Sequence, residues 1–252
     1  MGRSSESQRR YYELDPEKVL ATISSLSVRV EERFPGSGLS GVAAELVEIG
    51  KLGKERMEWI GRPIWLVRGL TIFAIVMLVV GLGLTVVNLK PEEGVFELVT
   101  FLSVLEAGLN DVIMLGLGVF FLVTLETRIK RKRALEAIHE LRSIAHVIDM
   151  HQLTKDPDRI LRTPEENTEH SPKSELSVFQ LRRYLDYCAE MLSLVGKLAS
   201  LYLRRFEDSA AIAAVNEIEE LTTGLSRKIW QKIMILQQGE IADDLTKGGR
   251  IE

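Results

Sequence analysis

Between Ile64 and Leu89 the chain reads IWLVRGLTIFAIVMLVVGLGLTVVNL, a run broken only by Arg68, two threonines and Asn88. At about 1.5 Å per residue it crosses the roughly 30 Å hydrocarbon core of a bilayer with room for tilt. A transmembrane helix is predicted over about 64–89. Pro63, just ahead, suits a first helical turn, where its missing N–H is not needed. Trp59 and Trp65 flank the start of the span as an interfacial belt does, and Arg68 is near enough to that end to snorkel to headgroups.

A second apolar run, DVIMLGLGVFFLVTLE, has only 14 uncharged residues between Asp111 and Glu126, short for an unaided span. The stretch before it, GVFELVTFLSVLEAGLN, is apolar too but carries Glu97 and Glu106. The expectation is a short interfacial helix over about 94–105 that turns into a span over about 106–126, with an external acidic loop over about 90–105. A re-entrant segment is the other arrangement, disfavoured because non-helical backbone at membrane depth must be shielded by protein.

Helical periodicity governs both arms. In the N-terminal arm, 15–62, Asp15 caps a helix with Pro16 at its first position, and Val19, Leu20, Ile23, Leu26 and Val30 share a face until PGSG stops it. A second helix is predicted over about 39–60, with Val42, Leu46, Ile49 and Leu52 on one stripe. After the second span, residues 128–153 extend its helix, and TPEENTEHSPKSE within 154–175 has the composition of a flexible linker. The C-terminal part, 176–239, reads as two long helices, about 176–206 and 209–238, with Asp208 or Ser209 capping the second. Leu181, Leu185, Cys188, Leu192, Val195 and Leu198 repeat at three- and four-residue intervals, as do Ile218, Leu221, Leu225, Ile229, Ile233 and Leu236. That is a helical hairpin, or a coiled-coil seam for a neighbouring subunit. Residues 1–14 and 240–252 are expected to be disordered ends. The fold class is therefore an all-α integral membrane protein, two spans with a helical cytoplasmic body.

Charge supplies the orientation. Lys51, Lys54, Arg56 and Arg62 precede the first span and Arg128, Lys130, Arg131, Lys132 and Arg133 follow the second, whereas the connecting stretch has Lys90 as its only base. The positive-inside rule then puts both termini in the cytoplasm of a multi-pass cell-membrane protein, the plasma membrane if the source is bacterial. Arg128, Lys130 and Arg131, with Trp59, Trp65 and Arg68, are the interface anchors, facing anionic headgroups. Over all 252 residues the net charge is -4, which argues against nucleic acid as a partner. The single cysteine, Cys188, makes no internal disulfide and reads as a small core residue. The polar start MGRSSESQRRYYELDP lacks the apolar segment of a secretory signal, and Glu6 stands where a myristoylation start needs a hydroxyl residue.

Candidate chemistry is sparse. HELRSIAHVIDMHQLTKDP, residues 139–157, holds three of the four histidines. At about 100° per residue, Ile138, Leu141, Ile144, Ala145 and Ile148 form an apolar stripe. His139, Arg142, His146 and Asp149 form a polar stripe about 120° around from it. His139 and His146 are about 10.5 Å apart along the axis, too far to share one ion directly. His146 and Asp149, at i and i+3, are the one natural metal pair. The same stripe is a candidate pH-sensing or ligand face, since histidine titrates near neutral pH. Its more ordinary role is a solvated helix face. The following QLTKDPDRI is accounted for by a turn, because Pro157 disfavours helix at Asp156.

Glu106, Asn110 and Asp111, in the outer third of the second span, are a second constellation. Ionisable groups at membrane depth suggest an ion path, and in an oligomer they would form an acidic ring. The alternative is that the helix starts near residue 110 and these groups stand in water. No phosphate-binding loop, nucleophile elbow, H-E-x-x-H or paired C-x-x-C is present in the sequence, which leaves any cofactor unknown. The leading expectation is a non-enzymatic, membrane-anchored scaffold that homo-oligomerises through its long helices and offers the C-terminal hairpin to a cytoplasmic protein. The runner-up is a small oligomeric cation channel, and the third a pH- or metal-responsive sensor.

Overall fold

The computed structural model describes residues 14–88, 98–157, 176–204 and 206–248. All its regular structure is helical, with no strand among the described residues: α1 (Pro16–Arg33), α2 (Gly38–Gly61), α3 (Trp65–Asn88), α4 (Leu98–Leu153), α5 (Val178–Leu203) and α6 (Ser209–Gly248). Contacts divide the chain into two compact units, one of Met1–Trp59 with Ala134–Glu252 and one of Ile60–Arg133.

Helix starts follow local chemistry. The Asp15 side chain accepts from the Glu17 N–H at 2.9 Å with Pro16 next in line, as the sequence predicts. Ser37 Oγ accepts the Ser40 N–H at the start of α2. A capping box opens α5: Ser177 Oγ accepts the Gln180 N–H at 3.2 Å, and Gln180 Oε1 accepts the Ser177 N–H at 2.9 Å. Of the two residues expected to cap α6, Asp208 does so, accepting the Ala210 N–H at 3.0 Å. Pro63 sits in the break between α2 and α3 rather than inside a first turn.

The larger unit is a helical bundle with α5 at its centre. This helix is buried over more than half of its circumference, from Leu181 to Tyr202, as a helix covered on several sides is, and leaves an open stripe at Asp186, Ser193 and Lys197. Its Leu181–Leu198 stripe meets the Ile218–Leu236 stripe of α6, so the two long helices form the hairpin and spend the predicted seam on each other; Leu221 alone of that set is half-buried. On the other side α1 brings Val19, Ile23, Leu26 and Val30 against α5, and the Phe34 ring meets Tyr184 edge-on at 5.4 Å. Ile138, Leu141, Ile144, Ala145 and Ile148 of α4 are all buried, as the periodicity requires.

Two boundaries and one buried face differ from expectation. First, α4 is one helix of 56 residues, about 84 Å long, already formed at Leu98. Residues 98–105, expected in an external loop and a separate interfacial helix, belong to it; nothing in that stretch forces a turn. Second, α6 continues through Gly248, so most of the tail expected to be disordered is helical; it contains no proline to stop it. Third, the buried stripe of α2 runs Leu46, Gly50, Gly53, Met57, leaving Leu52 exposed. The glycines decide this: a Cβ on Gly50 would lie 2.9 Å from Leu20 Cδ1, and one on Gly53 3.1 Å from Tyr202 Oη, so α2 approaches its neighbours along them. The expected linker lies largely outside the described residues, as does the N-terminal segment.

In the unit Ile60–Arg133, two helices are long and apolar enough to cross a membrane, and the most apolar windows of these stretches are 6% and 0% buried. Ile72, Phe73, Val79, Phe120 and Phe121 are 60–69% exposed. This distinguishes them from core helices, whose apolar faces are covered.

Candidate functional site

The histidine-bearing part of α4 has its core face at Ala134, Ala137, Leu141, Ala145 and Ile148. Directly opposite, His139, Ser143, His146, Val147, Met150 and Leu153 are exposed. The residues between are taken up by neighbours. Glu140 pairs with Arg56 of α2, Arg142 pairs with Glu217 of α6, and Asp149 Oδ1 accepts from Gln152 Nε2 at 2.6 Å. The polar stripe read from the sequence is thus divided: Arg142 and Asp149 form an engaged edge, while His139 and His146 sit on the open face. His151 lies half-buried against Gly38. For the His146 and Asp149 metal pair, no group of three or more His, Cys, Asp or Glu is placed to hold an ion among the described residues.

A buried polar cluster lies where α4 ends. Lys232 of α6 donates to the Gln152 carbonyl at 2.8 Å and to the Lys155 carbonyl at 3.2 Å. A cation from another helix therefore meets a carbonyl of the last turn of α4, at the negative end of its dipole, and a carbonyl of the turn that follows. Burial holds the Lys232 ammonium below its ordinary pKa, against Asp156 and Asp149, which favour the charge. Lys155 stands over the Tyr184 ring at 5.2 Å, and burial pushes the nearby Cys188 thiol up to about 12, so it is no nucleophile at neutral pH. At the other end of the bundle, the hydrogen bond from Arg56 to Glu140 raises the Arg56 pKa, and burial carries Tyr202 to about 12. Neither Lys232 nor Tyr202 stands out in the sequence, because each is an isolated residue that matters only through helices distant in the chain.

Among the expected interface anchors, Trp65 is 79% and Trp59 40% exposed, and Arg128 is exposed. Arg68 and Lys130 instead share an acceptor: Glu126 takes Arg68 Nε at 3.4 Å and Lys130 Nζ at 2.9 Å. Arg131 is half-buried and engaged. In the sequence Glu126 marks the end of an apolar run, and its i,i+4 spacing to Lys130 is the signal for this contact. Glu106 and Asn110 are exposed on one face of α4, eight and twelve residues beyond its described start at Leu98, while the Asp111 side chain lies outside the description.

A groove of about 840 Å³ opens beside α5 and α6, with Leu194, Ile233 and the 60% exposed Trp230 among its walls. Two of its acidic residues are neutralised, Asp186 by Arg183 at 3.2 Å and Glu190 by Arg29 at 2.7 Å. In the same groove Lys197 Nζ donates to Ser193 Oγ at 2.6 Å, four residues apart on α5. No protein-family model matches the chain, and neither a curated protein nor a solved structure is detectably similar to it.

Proposed function

We propose that this chain is a non-enzymatic, membrane-anchored assembly protein: α3 and the first part of α4 span a bilayer, both termini and the bundle are cytoplasmic, and the acidic connection is outside. One contrast carries the reading. Where the chain folds on itself it buries its apolar stripes, yet along α3 and α4 it leaves side chains such as Phe73 and Phe120 62% and 69% exposed. Continuous apolar surface on that scale needs a partner, and lipid suits helices whose backbone groups are satisfied internally. Orientation rests on the basic residues after Glu126 and before Pro63, against Lys90 alone between the spans.

The test uses membranes washed in alkaline carbonate, followed by impermeant maleimide on single-cysteine variants in a Cys188→Ala background. The protein stays in the pellet, Glu93→Cys is labelled from outside, and Glu207→Cys only after permeabilisation. Extraction by carbonate, or the reverse labelling, overturns the reading. A second reading, a cation path, is favoured by one observation: Glu106 and Asn110 share a face well inside a continuous helix rather than at its first turn. It requires conductance in planar bilayers that Glu106→Ala and Asp111→Asn abolish.

A further inference from the structure

We infer that the groove beside α5 and α6 is the docking site for an acidic amphipathic helix of a partner protein. The inference deepens the assembly reading above and rests on it for the partner being a protein. The groove exists because α1 and α6 each pack on α5 without covering all of it. Thr22 of α1 stands on one side, Trp230 and Ile233 of α6 on the other, and the open stripe of α5 is the floor. Along that floor Arg183 and Lys197 are fourteen residues apart, about 21 Å or four helical turns. A small molecule is held by a cavity that closes round it, whereas a trough of this length fits a helix laid lengthwise, apolar side down.

Trp230 supplies the anchor. Its ring is 60% exposed, while Ile229 and Ile233 on the same helix are 0% and 4% exposed. With Leu194 and Ile233 in the same groove, it offers an apolar strip for a partner's leucines or aromatics, and exposed aromatics in such grooves carry a large share of binding energy.

Charge gives the partner its sign. Both carboxylates of the groove are spent within the chain, Asp186 on Arg183 at 3.2 Å and Glu190 on Arg29 at 2.7 Å. The other two cations of the groove, Lys197 and Arg227, have no carboxylate partner among the described residues; Lys197 donates to the carbonyl and Oγ of Ser193. On α6 the carboxylate nearest to Arg227 in sequence, Glu220, is seven residues and about 10.5 Å of helix away. The groove therefore presents an apolar strip bordered by two uncompensated positive charges, complementary to an apolar stripe with acidic edges. A second copy of this chain offering the same surface does not fill it, because two concave floors placed face to face enclose a void.

The experiment uses the full chain in phosphatidylcholine nanodiscs with Trp59→Phe and Trp65→Phe, which leaves Trp230 as the sole tryptophan. The probe is a synthetic alanine-based helix of about sixteen residues, enough for four turns, with leucine on one stripe and glutamate along both edges. Its control has lysine in place of each glutamate. The glutamate peptide shifts Trp230 emission to the blue and saturates, and the lysine peptide binds about tenfold more weakly or worse. Lys197→Glu with Arg227→Glu inverts that order and leaves the melting temperature unchanged, since both side chains are exposed. Trp230→Ala weakens the fluorescently labelled glutamate peptide about tenfold or more, read by anisotropy. Equal binding of the two peptides, a shift that does not saturate, or an order that the double variant fails to invert overturns the proposal. So does a blue shift that grows with protein concentration without peptide, which assigns the groove to a second copy. Carbonate extraction of membranes reports separately on the membrane reading.

Discussion

Arg68 on α3 and Glu126 on α4 meet with the guanidinium Nε 3.4 Å from the carboxylate, which also takes Lys130 Nζ at 2.9 Å. One acidic side chain thus binds a cation one turn into α3 and another on its own helix. Glu126 and Lys130 are 15% and 13% exposed at the side chain, whereas Arg68 is 55% exposed.

Those exposures rank two substitutions. Arg68→Ala removes the more exposed partner and leaves Glu126 its contact with Lys130, so it costs below about 1 kcal/mol. Glu126→Ala leaves Lys130 covered and without its acceptor, and costs about 1–3 kcal/mol. Thermal unfolding in detergent checks this; an Arg68→Ala loss as large as that of Glu126→Ala would show that the ion pair, not the carboxylate hub, holds the two helices.

At the far end of α4, Lys232 is the counterpart from α6. Lys232→Met keeps the stem and removes the donor to Gln152 and Lys155. It should cost about 1–2 kcal/mol and accelerate amide exchange in Leu153–Lys155 before the rest of the bundle. Uniform acceleration across the bundle would mean that Lys232 supports the whole core instead of one helix end.

The sequence was most legible where periodicity alone decides. The apolar stripes of α1, α5 and α6 and the core face of α4 follow the periodicity, with Leu20 and Leu221 left half-buried at the edges, because a 3.6-residue repeat leaves one side for the core. Asp15 was legible for a local reason: a cap needs only its own helix. What failed depended on neighbours. Leu52 and Ile49 looked like the stripe of α2 because they are apolar, but Gly50 and Gly53 make the closer approach. The histidine stripe of the sequence is divided in the structure because Arg142 is engaged by Glu217, a residue 75 positions away that the spacing along α4 does not show. Arg68 was assigned to headgroups because Glu126, 58 positions away, had no visible link to it.

Cys188 makes the bundle sensitive to alkali. Burial raises its thiol from 9.0 to about 12, and Tyr202 rises from 10.0 to about 12 for the same reason. The unfolded chain therefore loses these protons first, so the stability is fully present below pH 9 and falls as pH climbs toward 12. Between pH 9 and 10 the cysteine acts before the tyrosine, with a slope of up to about 1.4 kcal/mol per pH unit. Cys188→Ala flattens that first part of the profile and leaves the fall above pH 10 in place. Urea unfolding at neutral and alkaline pH measures it; an unchanged slope in the variant would sink the assignment.

Gly50 sets how closely α2 packs on α1 and α5, and two substitutions there should part company. In Gly50→Ala the new methyl meets Leu20 Cδ1 at 2.9 Å, the free end of a half-buried side chain that can swing outward. The alanine also gains about 1 kcal/mol of helix propensity over glycine, so the net change stays within about 1 kcal/mol of zero. Gly50→Val extends two methyls into the same space, where Ile23 Cδ1 lies 3.6 Å and Leu198 Cδ1 3.9 Å from the Cβ position. Ile23 and Leu198 are buried and have nowhere to move, and a β-branched residue gains less in a helix. Overpacking of this kind costs about 1–3 kcal/mol, and Leu198→Ala in the same chain should recover part of it. Equal stability of the alanine and valine variants would mean that α2 slides freely over this contact, and that the glycines do not fix its register.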